Sequence, residues 1–297
     1  MFKNKSHQIR AGWLILLAFI AMLIVQQLFS LPGAFLLMIA ETPFSGESGS
    51  PDIPTALDSH PWIFLLMQGS GTAGAILATF LLWRFINKGN MKQLGFRGSL
   101  QDLWFGLLLG ATSIILIFIV LLTTDNVTLL NSLSNPQFSV YTISFLILFI
   151  LVGVSEEMFF RGYIMSTMAS RGNKKWVIYV ASALIFSIAH GTNPNVSLLG
   201  LVNIALVGIL FAYMFKVTNS LWMPIGYHIT WNYFQGNVFG FAVSGTSPKG
   251  IYGVNVDEGN DWLTGGAFGL EGGLLATTLV LVGFLSTRLY YQSKNHK

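Results

Sequence analysis

The residues best suited to chemistry in this chain are a few polar groups embedded in apolar sequence. Glu156-Glu157-Met158-Phe159-Phe160-Arg161 sits inside one apolar run, Phe186-Ser187-Ile188-Ala189-His190 closes the next, and His228-Ile229-Thr230-Trp231-Asn232 lies in a third. Of 12 acidic residues, only Glu156 and Glu157 lie well inside such a run, and Arg161 is the one basic residue that does. A charge at membrane depth costs at least about 2.5–3.5 kcal/mol on insertion scales, so each of these is a functional candidate. On a helix, residues four apart share a face while neighbours diverge by about 100°, so Glu157 can pair with Arg161 while Glu156 points elsewhere. One carboxylate is then neutralised and the other is available. The same triplet also suits a buried ion-pair network that does no more than fix helix register.

Phe186 stands one turn below His190, where it can set the imidazole rotamer; a hydrogen-bonded packing histidine is the plainer role. His228 and Asn232 place an imidazole and an amide side by side, and a helix-to-helix hydrogen bond would use them equally well. If the first two helices meet in a tight turn near Gly172 and Asn173, Glu156 lies 16 residues before Gly172 and His190 18 after it. At 1.5 Å per residue the two then differ in depth by about 3 Å and can face each other. The same count does not place His228, only 8 residues beyond Ser220; tilt or an inset loop has to close that gap. A carboxylate facing an imidazole in a partly dry site is a device for activating water. A second His and an Asn nearby can donate to the oxyanion of a tetrahedral intermediate. That chemistry is amide hydrolysis, with water as the attacking species because the set contains no covalent nucleophile.

The elements that must position these groups are membrane helices. The chain has 297 residues, 53% apolar and only 9% charged, with a mean hydropathy of +0.63, whereas an ordinary soluble domain is about 25% charged. Apolar runs long enough to cross a bilayer cover Ala11 to Ala40, Trp62 to Ile86, Leu103 to Thr123, Val140 to about Met168, Trp176 to His190, Val196 to Phe215, Leu221 to Phe241 and Gly266 to Thr287. The fold class expected is an all-α polytopic membrane protein of about eight spans, one membrane domain over 1–297, with the chemistry confined to 140–241. Basic and acidic connections alternate: Lys88, Lys92 and Arg97, then Arg171, Lys174 and Lys175, then Lys216, against Asp125, Asp257, Glu258 and Asp261. By the positive-inside rule both termini are cytoplasmic. The first run is too long for a signal h-region and lacks a small-residue cleavage site, so it reads as a membrane helix.

The net charge of +4 is scattered over short loops, which excludes a nucleic-acid footprint. The absence of cysteine removes disulfides, thiolate metal sites and Cys nucleophiles. Glu41 to Pro61 and Ala242 to Thr264 read as polar loops on the external side. Gly69, Gly71 and Gly74 resemble a phosphate loop only superficially, because no Gly-Lys-Ser/Thr follows; close helix packing is the reading preferred. Glu271, at the edge of the last run, reads as interfacial.

Taken in order, the three segments match EExxxR, FxxxH and HxxxN. They resemble the motifs of the CPBP (CAAX-processing and bacteriocin-processing, or Abi) family of intramembrane glutamic proteases, and Leu94-Gly95-Phe96-Arg97 resembles a sequence common in its bacterial members. The resemblance implies an eight-helix core and a site open to the cytoplasmic side of, in this mostly bacterial family, a bacterial cytoplasmic membrane. It implies Glu156 and His190 as the water-activating pair, His228 and Asn232 as the oxyanion site, and Glu157, Arg161 and Phe186 in support. The expected partners are a membrane-associated peptide or protein substrate and the lipid bilayer, with no nucleic acid. No cofactor is expected. A divalent metal is the alternative weighed, since imidazole and carboxylate suit zinc, although no HExxH is present. A non-proteolytic scaffold or immunity protein and an ion-coupled carrier are the other classes considered; matched interrupted helices in two repeated halves, the mark of many carriers, are missing.

Overall fold

A computed structural model describes residues 7–41 and 60–295. The polar loop expected from Glu41 to Pro61 therefore lies, over 42–59, outside the described residues, as do Lys3, Lys5 and Lys297. The protein is an all-α polytopic membrane fold. Its principal helices are α1 (Ala11–Glu41), α2 (Pro61–Leu81), α3 (Leu100–Thr123), α4 (Val140–Glu157), α5 (Lys175–Ala189), α6 (Leu198–Thr218), α7 (Trp222–Tyr233) and α8 (Leu274–Asn295). Each overlaps one of the eight apolar runs. Helix α4 continues without a break through a π-helical stretch, Met158–Met165, to Ser170, and α2 and α7 likewise end in π-helical turns. Six of these segments are long and apolar enough to cross a membrane. The other two are shorter: α5 has 15 residues, and α7 has 12 followed by 5 in its π-helical turn.

Local signals account for the boundaries. Ser99 caps α3 in a reciprocal box with Asp102, Ser197 caps α6 by accepting from Gly200, and Asn219, at φ 56°, closes α6 in the left-handed conformation. The last helix differs from the apolar run that predicts it. Gly266–Phe268 and Leu270–Gly272 form two short 3-10 turns rather than the first turns of a helix, and α8 begins at Leu274 and extends to Asn295. Gly265, Gly266 and Gly269 all hold positive φ there, and clustered glycine favours such turns over helix. At the same end of the bundle, Val127–Leu129 pairs antiparallel with Val254–Val256, Val127 opposite Val256.

The helices approach closely where glycine permits. Helices α3 and α7 run parallel through Gly106, Gly110 and Gly226; a methyl on Gly226 would lie 2.5 Å from Leu103 O. Helices α1 and α2 run antiparallel, and a methyl on Gly74 would meet Phe29 Cγ at 2.7 Å. The glycines of the second run are thus packing residues, as small residues in membrane helices commonly are. Asp102, fully buried, accepts from Tyr290 at 2.7 Å and Lys294 at 2.8 Å, which ties α8 to the start of α3. Replacing Gly226 by leucine should separate α3 from α7 and lower stability by about 1–3 kcal/mol, read as a fall in the unfolding temperature in detergent. Gly12→Ala, with open space around the added methyl, should leave that temperature in place.

Candidate active site

Helix α4 carries Glu156 and Glu157 side by side, and the 100° between neighbours sends them to different partners. Glu157 is fully buried. Its Oε1 accepts from Arg161 at 2.9 Å, one turn along the same helix, and from His228 Nδ1 at 3.0 Å on α7. Arg161, also fully buried, donates a second bond to Gly208 O on α6 at 3.3 Å. Its guanidinium lies over Phe186 and Phe211, 4.3 and 5.0 Å from the ring centroids, so the cation meets π faces as well as its carboxylate. Phe186 in turn stacks edge-on against His190, centroids 4.7 Å apart, and its carbonyl meets His190 Nδ1 at 2.9 Å.

These contacts leave both imidazoles aimed at Glu156. A carbonyl and a carboxylate only accept, so Nδ1 of each ring must carry a hydrogen, and Nε2 is the atom presented to the site. His190 Nε2 and His228 Nε2 each lie 3.9 Å from Glu156 Oε2, beyond direct hydrogen-bond range. Glu156 is 28% exposed, whereas His228 is 9%. Asn232, one turn beyond His228, lines the same space. All seven residues singled out in the sequence therefore gather at one place. The depth count for Glu156 and His190 agrees with this arrangement, since His190 terminates the short α5 level with the middle of α4.

His228 reaches the same level by means the count could not supply. The α6 to α7 turn is inset: Ser220 and Leu221 are fully buried, and Leu221 N donates to Gly95 O at 2.9 Å. The Leu94-Gly95-Phe96-Arg97 segment lies across this turn, and Arg97 donates to Asn219 O at 2.7 Å and to its side chain. Helix α7 consequently starts deep, and 8 residues suffice.

The site is the floor of a cleft of about 980 Å³. One side is sealed, because Arg161, Tyr163, Ile164, Leu94 and Leu221 are buried to 1% or less. The other leads past α1, α2 and α4 to a mouth at exposed Pro194, Thr246 and Ser247. That mouth is at the end of the bundle opposite the start of α1 and the end of α8. Cytoplasmic termini and a cytoplasmic mouth therefore cannot both hold; the alternating helix directions put them on opposite faces.

Sequence reasoning missed part of the lining. Glu271, taken as interfacial, is buried in the cleft wall, where Gln235 and Ser244 donate to its carboxylate. Asn203 fixes this corner by donating to Glu271 O and Gly273 O at 2.8 and 2.9 Å. A Gln three residues after Asn232 was the available signal, but polar residues near helix ends are too common to stand out. Among the described residues, no set of three or more His, Asp or Glu is arranged to hold a metal ion.

Fold and site together define a multi-pass membrane protein with a water-accessible, Glu- and His-lined cleft at membrane depth. Residues 136–234 match the model of the Rce1-like family, described as type II CAAX prenyl endopeptidase Rce1-like. The match covers all three motifs, and members of the matched family are intramembrane proteases. No curated protein and no solved structure matches the chain.

Arg161→Met should leave Glu157 buried with His228 as its only partner, at a cost of about 3–5 kcal/mol. Thermal unfolding in detergent should show that loss, and adding Glu157→Gln should recover much of it by removing the stranded charge.

Proposed function

We propose that the chain is an intramembrane endopeptidase in which Glu156, aided by His190, activates water against a peptide bond of a membrane-associated peptide or protein. The observation that carries this reading is Glu156 Oε2 between two imidazole Nε2 atoms, 3.9 Å from each, on the floor of a cleft with room for several residues of extended peptide. A single water bridges a spacing of that size. Glu156 takes a proton from the water as its oxygen attacks the carbonyl carbon. The proton then passes to the leaving amine as the C–N bond breaks, so the carboxylate is regenerated.

The developing oxyanion is met by Asn232 and His228. With Nδ1–H held by Glu157, His228 donates from Nε2 only as the imidazolium, and the Glu157 carboxylate is its counter-ion. Glu157 and Arg161 are thus positioning residues: the pair holds His228 in one tautomer and one orientation. His190 keeps its Nε2 lone pair toward the water because Nδ1 donates to Phe186 O. No step needs a metal. The catalytic core spans 140–241 within a single membrane domain over 1–297, crossed by eight helices.

The test compares new peptide termini by mass spectrometry in membranes holding equal amounts of wild type and Glu156→Gln. A set of termini should vanish with the substitution, at a rate loss of about 10²–10⁴ expected for a general base. Asn232→Ala should slow the same cleavages by about 10²–10³ while leaving the unfolding temperature nearly unchanged, and chelation of divalent ions should leave them at wild-type level. Indistinguishable termini in wild type and Glu156→Gln would end the protease reading.

A further inference from the structure

Among the described residues the cleft opens at one end of the bundle, where Pro194, Thr246 and Ser247 line it, and the charges on either side of the bundle give that mouth a direction. At the end where α1 starts and α8 finishes, the connections carry Lys88, Lys92, Arg97, Arg171, Lys174 and Lys175. At the other end, across 124–139, 190–197 and 239–273, Lys249 is the only basic residue in the sequence. Lysine and arginine in short loops set orientation because they are retained on the cytoplasmic side. The antiparallel packing of α1 on α2 and of α5 on α6, through Phe29 and Gly74 and through Ala183 and Gly208, and the parallel packing of α6 on α8, through Asn203 and Thr277 and through Leu210 and Gly283, keep every basic connection at one end. At that end the inset Leu221 turn, Leu94 and the Arg161 to Ile164 stretch are buried, and none of them lines the cleft. At the opposite end Ser247 and Pro194 line it together with Glu156.

We infer that the cleft opens to the non-cytoplasmic face of the membrane and that its substrate is a peptide segment presented from that face, already translocated or anchored in the outer leaflet. A C-terminus displayed in the cytosol would meet the sealed end. The substrate half of this inference rests on the protease reading above; the direction of the mouth does not.

The cysteine-free sequence suits a direct test. Single-cysteine variants are made at Ser247 in the mouth, at Val152 on the cleft wall one turn above Glu156, and at exposed Lys92 at the other end. Intact cells are treated with a membrane-impermeant maleimide, and the same cells are treated again after the membrane is opened. Ser247→Cys and Val152→Cys should label in intact cells, and Lys92→Cys only once the membrane is open. The reverse pattern, or labelling of all three in intact cells, would overturn the inference. In the mass-spectrometric comparison, termini lost with Glu156→Gln should fall in non-cytoplasmic segments of their parent proteins, and cytoplasmic positions would overturn the substrate assignment. If no termini depend on Glu156, the protease reading and the substrate half fail together, while the labelling still decides which way the cleft faces.

Discussion

A carboxylate buried among membrane helices must be compensated at short range, and in this protein the compensation of Glu157 organises the site. Its Oε1 is shared by Arg161 and His228, so one ion pair within α4 also bonds α4 to α7. Arg161 extends the link to the α6 backbone and to the faces of Phe186 and Phe211. Four helices are thereby held to a common register by one charged centre. Burying such a centre is expensive, and a well-packed apolar core would be at least as stable. Its use is geometric: it determines which nitrogen of His228 faces the cleft and where that nitrogen stands relative to Glu156.

Backbone features serve the same end. The π-helical stretch of α4 begins at Met158, directly after the two glutamates, and that of α7 begins at Phe234, two residues past Asn232. Such wide turns concentrate at functional sites because they re-aim side chains without ending the helix. The glycines of α3 and α7 let those backbones meet, and the Leu94 to Arg97 segment caps the inset turn below α7. The outcome is a pre-set floor beneath a cleft closed on one side and open on the other.

The identity of the charged groups, their helical spacing and the apolar runs around them were legible along the chain, because i to i+4 geometry and bilayer thickness are local constraints. Helical spacing permits the pairing of Glu157 with Arg161, and the common depth of Glu156 and His190 follows once a tight turn near Gly172 and Asn173 is assumed. The start of α8 was not legible, because hydropathy does not register the positive-φ glycines from Gly265 to Gly269. Nor was the role of Glu271, whose partners Gln235 and Ser244 come from separate connections.

The sequence by itself determined the class of protein and the chemistry available, since residue type and periodicity act within single helices. Only the tertiary structure decided that Glu157 also holds His228, that an inset turn lifts His228 to the level of Glu156, and that the cleft opens away from the termini. These depend on how deep each helix starts and which loops fold inward, and such quantities are set by contacts between segments far apart in the chain.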